Sequence, residues 1–121
     1  MKLRIKSDSI RYRLTRTDVT RLAEVGYIDE KLNFGGQVLV YAIKLTDNDE
    51  LKSAFVNNTI TLFMPGLMIN ELQNTDKVGF ESSNGVLHLL VEKDFTCLDN
   101  VAEDQSDNYP NPLALHNHEQ D

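Results

Sequence analysis

From Lys2 the chain alternates, with Leu3 and Ile5 on one face of an extended segment and Lys2, Arg4 and Lys6 on the other, the period-two pattern of a half-buried strand. After the turn cluster Ser7-Asp8-Ser9, Ile10, Tyr12 and Leu14 alternate against Arg11 and Arg13, which predicts a second strand with a basic outer face. Residues 15–25 read as a short helix. Thr15 and Asp18 have capping-box spacing, Val19, Leu22 and Ala23 fall at helical intervals, and Gly26 stands where a left-handed C-terminal residue belongs. Ile28, Leu32 and Phe34 then alternate with Tyr27, Lys31 and Asn33 as far as Gly35-Gly36. Residues 38–45 are apolar on both faces, as in a central strand, and are expected in the core. The run 46–50 alternates Asp and Asn but lacks the glycine and terminal glutamate of a calcium loop, and reads as a surface turn.

The clearest grammar lies in residues 59–95. The segments 51–56 and 59–64 flank Asn57-Asn58 and form an expected hairpin, since Asn tolerates positive φ. Pro65 suits a first helical position, with Leu67, Met68, Ile69 and Leu72 as the buried stripe. Residues 76–81 read as a strand, Ser82-Ser83-Asn84-Gly85 as a tight turn, and the nearly all-apolar run 86–91 as a second central strand. Residues 10–46 and 59–95 thus repeat one plan, in which Gly26-Tyr27 matches Gly79-Phe80, Val38-Leu39 matches Val86-Leu87, and Ile43 matches Val91. Either half alone has too little core to be stable. The expected fold is α+β, mainly β: a single domain over residues 1–98 in which two strand-helix-strand-strand halves with two short helices build a pseudo-two-fold, partly closed barrel. An acidic tail, 99–121, follows.

Charge alters this picture more than composition does. At 121 residues, 40% apolar and 26% charged, the chain suits one globular domain. It has no apolar run long enough to span a bilayer and no apolar stretch of signal type after Met1, and its single cysteine, Cys97, leaves no internal disulfide. A cytoplasmic protein without a membrane partner is expected. The net charge of −7 is uneven. All 12 Lys and Arg lie between Lys2 and Lys93, nearly balanced by 13 acids, and the remaining six acids follow Asp94 with no base among them. Within the first 21 residues seven bases face two acids. If the first two strands pair in register, Lys2, Arg4, Lys6, Arg11 and Arg13 gather on one surface. That surface reads either as a solvated sheet face or, with Arg16, as a site for an anionic or acidic partner, the protein's own tail included. Tyr109 and Leu113, around two prolines, supply the means for the tail to dock as an extended strap.

The densest reactive run is Glu92-Lys93-Asp94-Phe95-Thr96-Cys97. Lys93, Asp94 and Cys97 are its catalytic candidates, with Lys93 as the cation that would lower the thiol pKa. A lone cysteine is more commonly an inert small hydrophobe. His88, between Leu87 and Leu89, reads as a core or rim histidine, and His116 and His118 lack further ligands at metal-site spacing. Phosphate loops, nucleophile elbows and zinc-protease motifs are absent from the sequence, and no cofactor or metal is expected.

ITLFMP, a short helix, then DKVGFES, NG and VLHLLV resemble the AbrB-like swapped-hairpin module. The resemblance implies two interleaved copies and, in many members, DNA binding through basic residues near the first strand and helix. Here the matching positions are Arg11, Arg13, Arg16 and Arg21, and residues 59–76 contain no Lys or Arg, which weighs against nucleic acid. The words MKLRIK, SIR, RLT, LVEKDF with Cys97-Leu98, and YPNP at 109–112 are also similar to a family of short uncharacterised bacterial proteins, which implies no activity. The reading that follows is a non-catalytic binding module with a basic face. Its alternatives are a small enzyme or ligand-binding protein with a pocket near Glu92–Cys97, and a swapped-hairpin DNA-binding regulator.

Overall fold

The computed structural model describes residues 1–96 and 105–113. In order they form β1 (Lys2–Lys6), β2 (Ser9–Leu14), α1 (Arg16–Val25), β3 (Tyr27–Asn33), β4 (Val38–Thr46), β5 (Lys52–Val56), β6 (Thr59–Pro65), α2 (Gly66–Asn74), β7 (Gly79–Asn84) and β8 (Leu87–Lys93). The described chain is mainly β, with two helices, and neither helix is long and apolar enough to cross a membrane.

Local chemistry fixes the helix ends. The Thr15 hydroxyl accepts from the Asp18 N–H at 3.2 Å while the Asp18 carboxylate accepts from the Thr15 N–H at 2.9 Å, a closed capping box. Gly26, at φ 84, ends α1 by donating to the Leu22 carbonyl at 2.8 Å. In α2 the expected start moves by one residue. Pro65 is the last residue of β6, held extended by ψ 134, and Gly66 opens the helix. Ile69 and Leu72 are buried with Met68 packed beside them, but Leu67 is 79% exposed. At about 100° per residue Leu67 lies nearly opposite Ile69, so the buried stripe is narrower than its apolar residues suggested.

The strands form two four-stranded sheets, ordered β1-β2-β8-β7 and β3-β4-β6-β5. Hairpin, helix, hairpin occurs twice along the chain, and each sheet takes one hairpin from each half. The halves meet at the sheet centres, where β2 runs parallel to β8 and β4 parallel to β6. Matching backbone bonds recur: His88 N–H to Asp8 O at 2.8 Å beside Val40 N–H to Asn58 O at 2.9 Å, and Lys93 N–H to Val78 O at 2.9 Å beside Leu45 N–H to Gly26 O at 3.0 Å. These bonds set Val40 on His88 and Leu45 on Lys93, the spacing that also aligns Ile43 with Val91. Gly26 is equivalent to Val78, so the Gly-aromatic words are displaced by one residue.

The pairing closes no barrel. At one seam the edges β5 and β7 are joined by side chains instead of a ladder: Ser82 Oγ accepts from Leu51 N–H at 3.2 Å, and Asn84 Nδ2 donates to Ser53 O at 3.3 Å. Between the sheets lie Tyr12, Leu14, Leu89 and Val91 from one side and Ile43, Leu62 and Met64 from the other, with Leu22 and Leu72 from the helices. Both predicted central strands, β4 and β8, are central. Ile28 alone of β3 reaches the core, whereas Leu32 and Phe34 stand exposed beyond it, as does Val38 at the start of β4. Burial pushes the Tyr12 phenol up to about 12; Ser53 offsets this only in part and makes no well-aligned bond to the hydroxyl.

Gly79 marks the tightest backbone approach. A Cβ there would clash with the Val91 carbonyl and lie 2.9 Å from Glu92 Cα, so β7 pairs with β8 only because this position has no side chain. Gly79→Ala should lower stability by about 1–3 kcal/mol in urea unfolding. Gly36→Ala, with nothing within 4 Å of its added carbon, should change it little. Equal effects at the two positions would contradict this packing.

Candidate functional site

Alternation places Lys2, Arg4 and Lys6 of β1 on the outer face of the first sheet, beside Ser9, Arg11 and Arg13 of β2 and His88, Leu90 and Glu92 of β8. The register sets Lys2 opposite Arg13, Arg4 opposite Arg11, and Lys6 opposite Ser9, which is itself opposite His88. Five cations therefore share one surface. The half nearer α1 is neutralised: Glu92 Oε1 lies 3.5 Å from Arg11 Nε and 3.3 Å from Arg13 Nε, and Lys2 Nζ lies 3.0 Å from Asp94 Oδ2. The half nearer the β1–β2 turn is not. Arg4 and Lys6 make no ion pair among the described residues, and with Ser9 and Arg11 they line a hollow of about 200 Å³. At its margin His88 is 3.3 Å from Glu81 Oε2. Two arginines directly opposite on neighbouring strands repel each other, an arrangement that destabilises a sheet unless an anion lies between them.

Arg16 does not join this group. It opens α1, and its guanidinium lies 5.8 Å from the centre of the Tyr109 ring. Arg21 is likewise on α1, on the exposed side. The run after Val91 splits by strand alternation. Lys93 points inward in phase with Leu89 and Val91; its ammonium donates to Thr75 O at 2.9 Å and lies 5.0 Å from the Tyr109 ring centre. Burial lowers its pKa, opposed by the negative charge of Asp76. Lys93 thereby clasps the C-terminal end of α2, where carbonyls lack helical partners. Asp94 turns the other way and is also buried. Its Oδ2 has no well-aligned hydrogen bond, and the adjacent Lys2 ammonium supplies counter-charge rather than a directed bond. The amine and carboxylate do not converge on one cleft. Cys97 lies outside the described residues, as do His116, His118 and the acids Asp99, Glu103 and Asp104. Among the described residues no cluster of His, Cys, Asp or Glu could hold a metal.

Residues 105–113 pack as a strap on the end of β8 and the start of α1. Tyr109 N–H donates to Asp94 O at 2.9 Å, and Tyr109 O accepts from the Thr96 N–H at 2.8 Å and its hydroxyl at 3.0 Å. The Tyr109 ring meets Phe95 edge-on at 6.2 Å. Asn111 Nδ2 holds Thr96 O at 2.9 Å, while Leu113 is exposed. Asp107 accepts from Thr17 N–H at 3.3 Å and the Thr17 hydroxyl at 2.9 Å, and its carbonyl accepts from Arg16 N–H at 3.1 Å. A carboxylate at a helix N-terminus is favoured by the exposed N–H groups and the dipole. The strap was half legible, since Tyr109 is its anchor but Leu113 is not. Nothing in the sequence pattern linked Asp107 to Thr17 ninety residues earlier.

Hydrogen bonds from Thr15 and Thr17 and the nearby Arg16 charge hold the Asp107 carboxyl below its ordinary pKa. Its contribution to stability is present above the unfolded carboxylate value, about 4, and is lost as pH falls through the lower folded value. Asp107→Asn should therefore melt below wild type at pH 7, and the gap should close in melts run at progressively lower pH. A gap constant down to acid pH would contradict the assignment.

Comparison with curated proteins gave no match, and neither did comparison with solved structures. A family model described as a family of unknown function, DUF7009, matches residues 1–113, both interleaved halves and the strap included. With nearly the whole chain matched, this protein belongs to DUF7009.

Proposed function

We propose that this protein is a non-catalytic binding module whose site is the outer face of the first sheet, centred on Arg4, Lys6, Ser9 and Arg11, and whose partner is anionic. The observation that carries this reading is the Arg4–Arg11 pair, in which Arg11 shares the Glu92 carboxylate with Arg13 and Arg4 has no carboxylate among the described residues. A carboxylate or phosphate oxygen seated in the hollow meets two guanidinium forks, an ammonium and a hydroxyl, and turns the repulsion between the arginines into attraction.

The fold's own repetition supports it. We read the scaffold as a pseudo-two-fold frame, in which the β5–β6 hairpin is the counterpart of β1–β2. Rung for rung, Lys2/Arg13, Arg4/Arg11 and Lys6/Ser9 correspond to Lys52/Phe63, Ala54/Thr61 and Val56/Thr59. The same hairpin in the same setting thus forms with neutral residues on two of its three rungs. The cations of β1–β2 are not a requirement of the architecture.

Calorimetric titration with hexaglutamate and with inorganic pyrophosphate tests the reading. Wild type should bind both, more weakly as salt rises. Arg4→Ala with Arg11→Ala should reduce affinity about tenfold or more, while stability stays level or rises by about 0.2–1 kcal/mol as the like-charge pair is removed. Undiminished affinity in that variant would overturn the assignment.

A further inference from the structure

Resting on that reading, we infer that the partner is an extended peptide with acidic residues at alternate positions, which adds as a further strand to the free edge of β1. β1 is the outermost strand of its sheet and pairs only with β2, and no other backbone bond reaches it from the described residues. From Leu3 to Lys6 one row of its N–H and C=O groups is therefore left unpaired by the described residues, the row an incoming chain would take. Its outward side chains are all cationic, about 6.6–6.8 Å apart as alternate residues of a strand; Lys2 is held by Asp94, which leaves Arg4 and Lys6 to face a partner. The other face of the same edge shows Leu3, half-buried, and Ile5, which is 58% exposed.

A strand laid along this edge sets every second side chain across from a cation and the intervening ones beside Leu3 and Ile5. Acidic residues alternating with apolar ones match both rows. The remaining edges offer no such row: β3 mixes Asp29 with Lys31, β7 presents Glu81, and β5 is tied to β7 by side chains. Cations on an edge ordinarily guard against pairing. They do so here against a second copy, since two β1 edges would oppose like charges, but they attract an acidic strand. A nucleic acid fits less well. It cannot use the open N–H and C=O row, the outer face has no Phe, Tyr or Trp for bases to stack on, and Glu92 and Glu81 lie on that face to repel phosphates.

The experiment uses the full chain and two fluorescein-labelled ten-residue peptides of equal composition, one alternating Glu and Val, the other with its Glu and Val in blocks, read by anisotropy at low salt. The alternating peptide should bind about three- to tenfold tighter, as expected from two cross-strand pairs with Arg4 and Lys6, and should slow amide exchange in β1. Arg4→Glu with Lys6→Glu should lose that peptide and gain an alternating Lys-Val peptide, a rescue that a merely misfolded variant would not show. Equal affinity for the two peptides with unchanged β1 exchange overturns strand addition while leaving the anion face standing. Failure of both peptides together with hexaglutamate and pyrophosphate removes the anion face as well. Tighter binding of an oligothymidylate than of the alternating peptide overturns the peptide in favour of nucleic acid.

Discussion

The parallel pairing of β2 with β8 sets the placement of almost everything else. Parallel neighbours cannot be joined by a tight turn, so the two strands come from opposite halves of the chain and the halves must interleave. Once β2 is central, Ile10, Tyr12 and Leu14 have one place to go, between the sheets, and Arg11 and Arg13 are sent outward. The two-residue connection from β1 then brings Arg4 to Arg11. The gathering of these outward residues on one surface is thus a geometric consequence of where the core residues of one strand fall.

What is not a consequence is that those outward residues are charged. The β5–β6 hairpin holds the same position in the second sheet with Ala54, Val56 and Thr61 where the first has Arg4, Lys6 and Arg11. Surface ion pairs are worth only about 0–1 kcal/mol, so Glu92 moderates the charge at one end without accounting for it. At the other end no carboxylate accompanies Arg4 and Lys6 among the described residues. The first sheet's outer face thus bears a like-charge pair that its sister avoids.

Much of the fold was legible because local chemistry decided it. Thr15, Asp18 and Gly26 cap a helix by bonds within a few residues, Asn57 and Asn58 take the positive φ their turn needs, and doubly apolar runs mark the two central strands. Outcomes set by distant partners were not legible. Leu67 is apolar yet exposed because the helix offers only one face to the core, and where a partly closed barrel was expected the strands pair as two four-stranded sheets, with Ser82 and Asn84 taking up backbone groups at the β5–β7 seam. The site divided in the same way. Alternation gave the basic face, but only the register showed Arg4 against Arg11, only the packing showed Arg16 drawn away to Tyr109, and Lys93 proved to be a clasp on α2.

On the function proposed, an anion is held by the Arg4–Lys6–Ser9–Arg11 hollow and not by charge spread over the molecule. Amide-resolved NMR of the ¹⁵N-labelled chain titrated with pyrophosphate tests it most directly, because the sister hairpin serves as an internal control. Saturable shifts are expected in β1, β2 and at His88, with residues 52–63 and the N-terminus of α1 unmoved. Shifts of equal size in both hairpins, or shifts confined to α1, would contradict it.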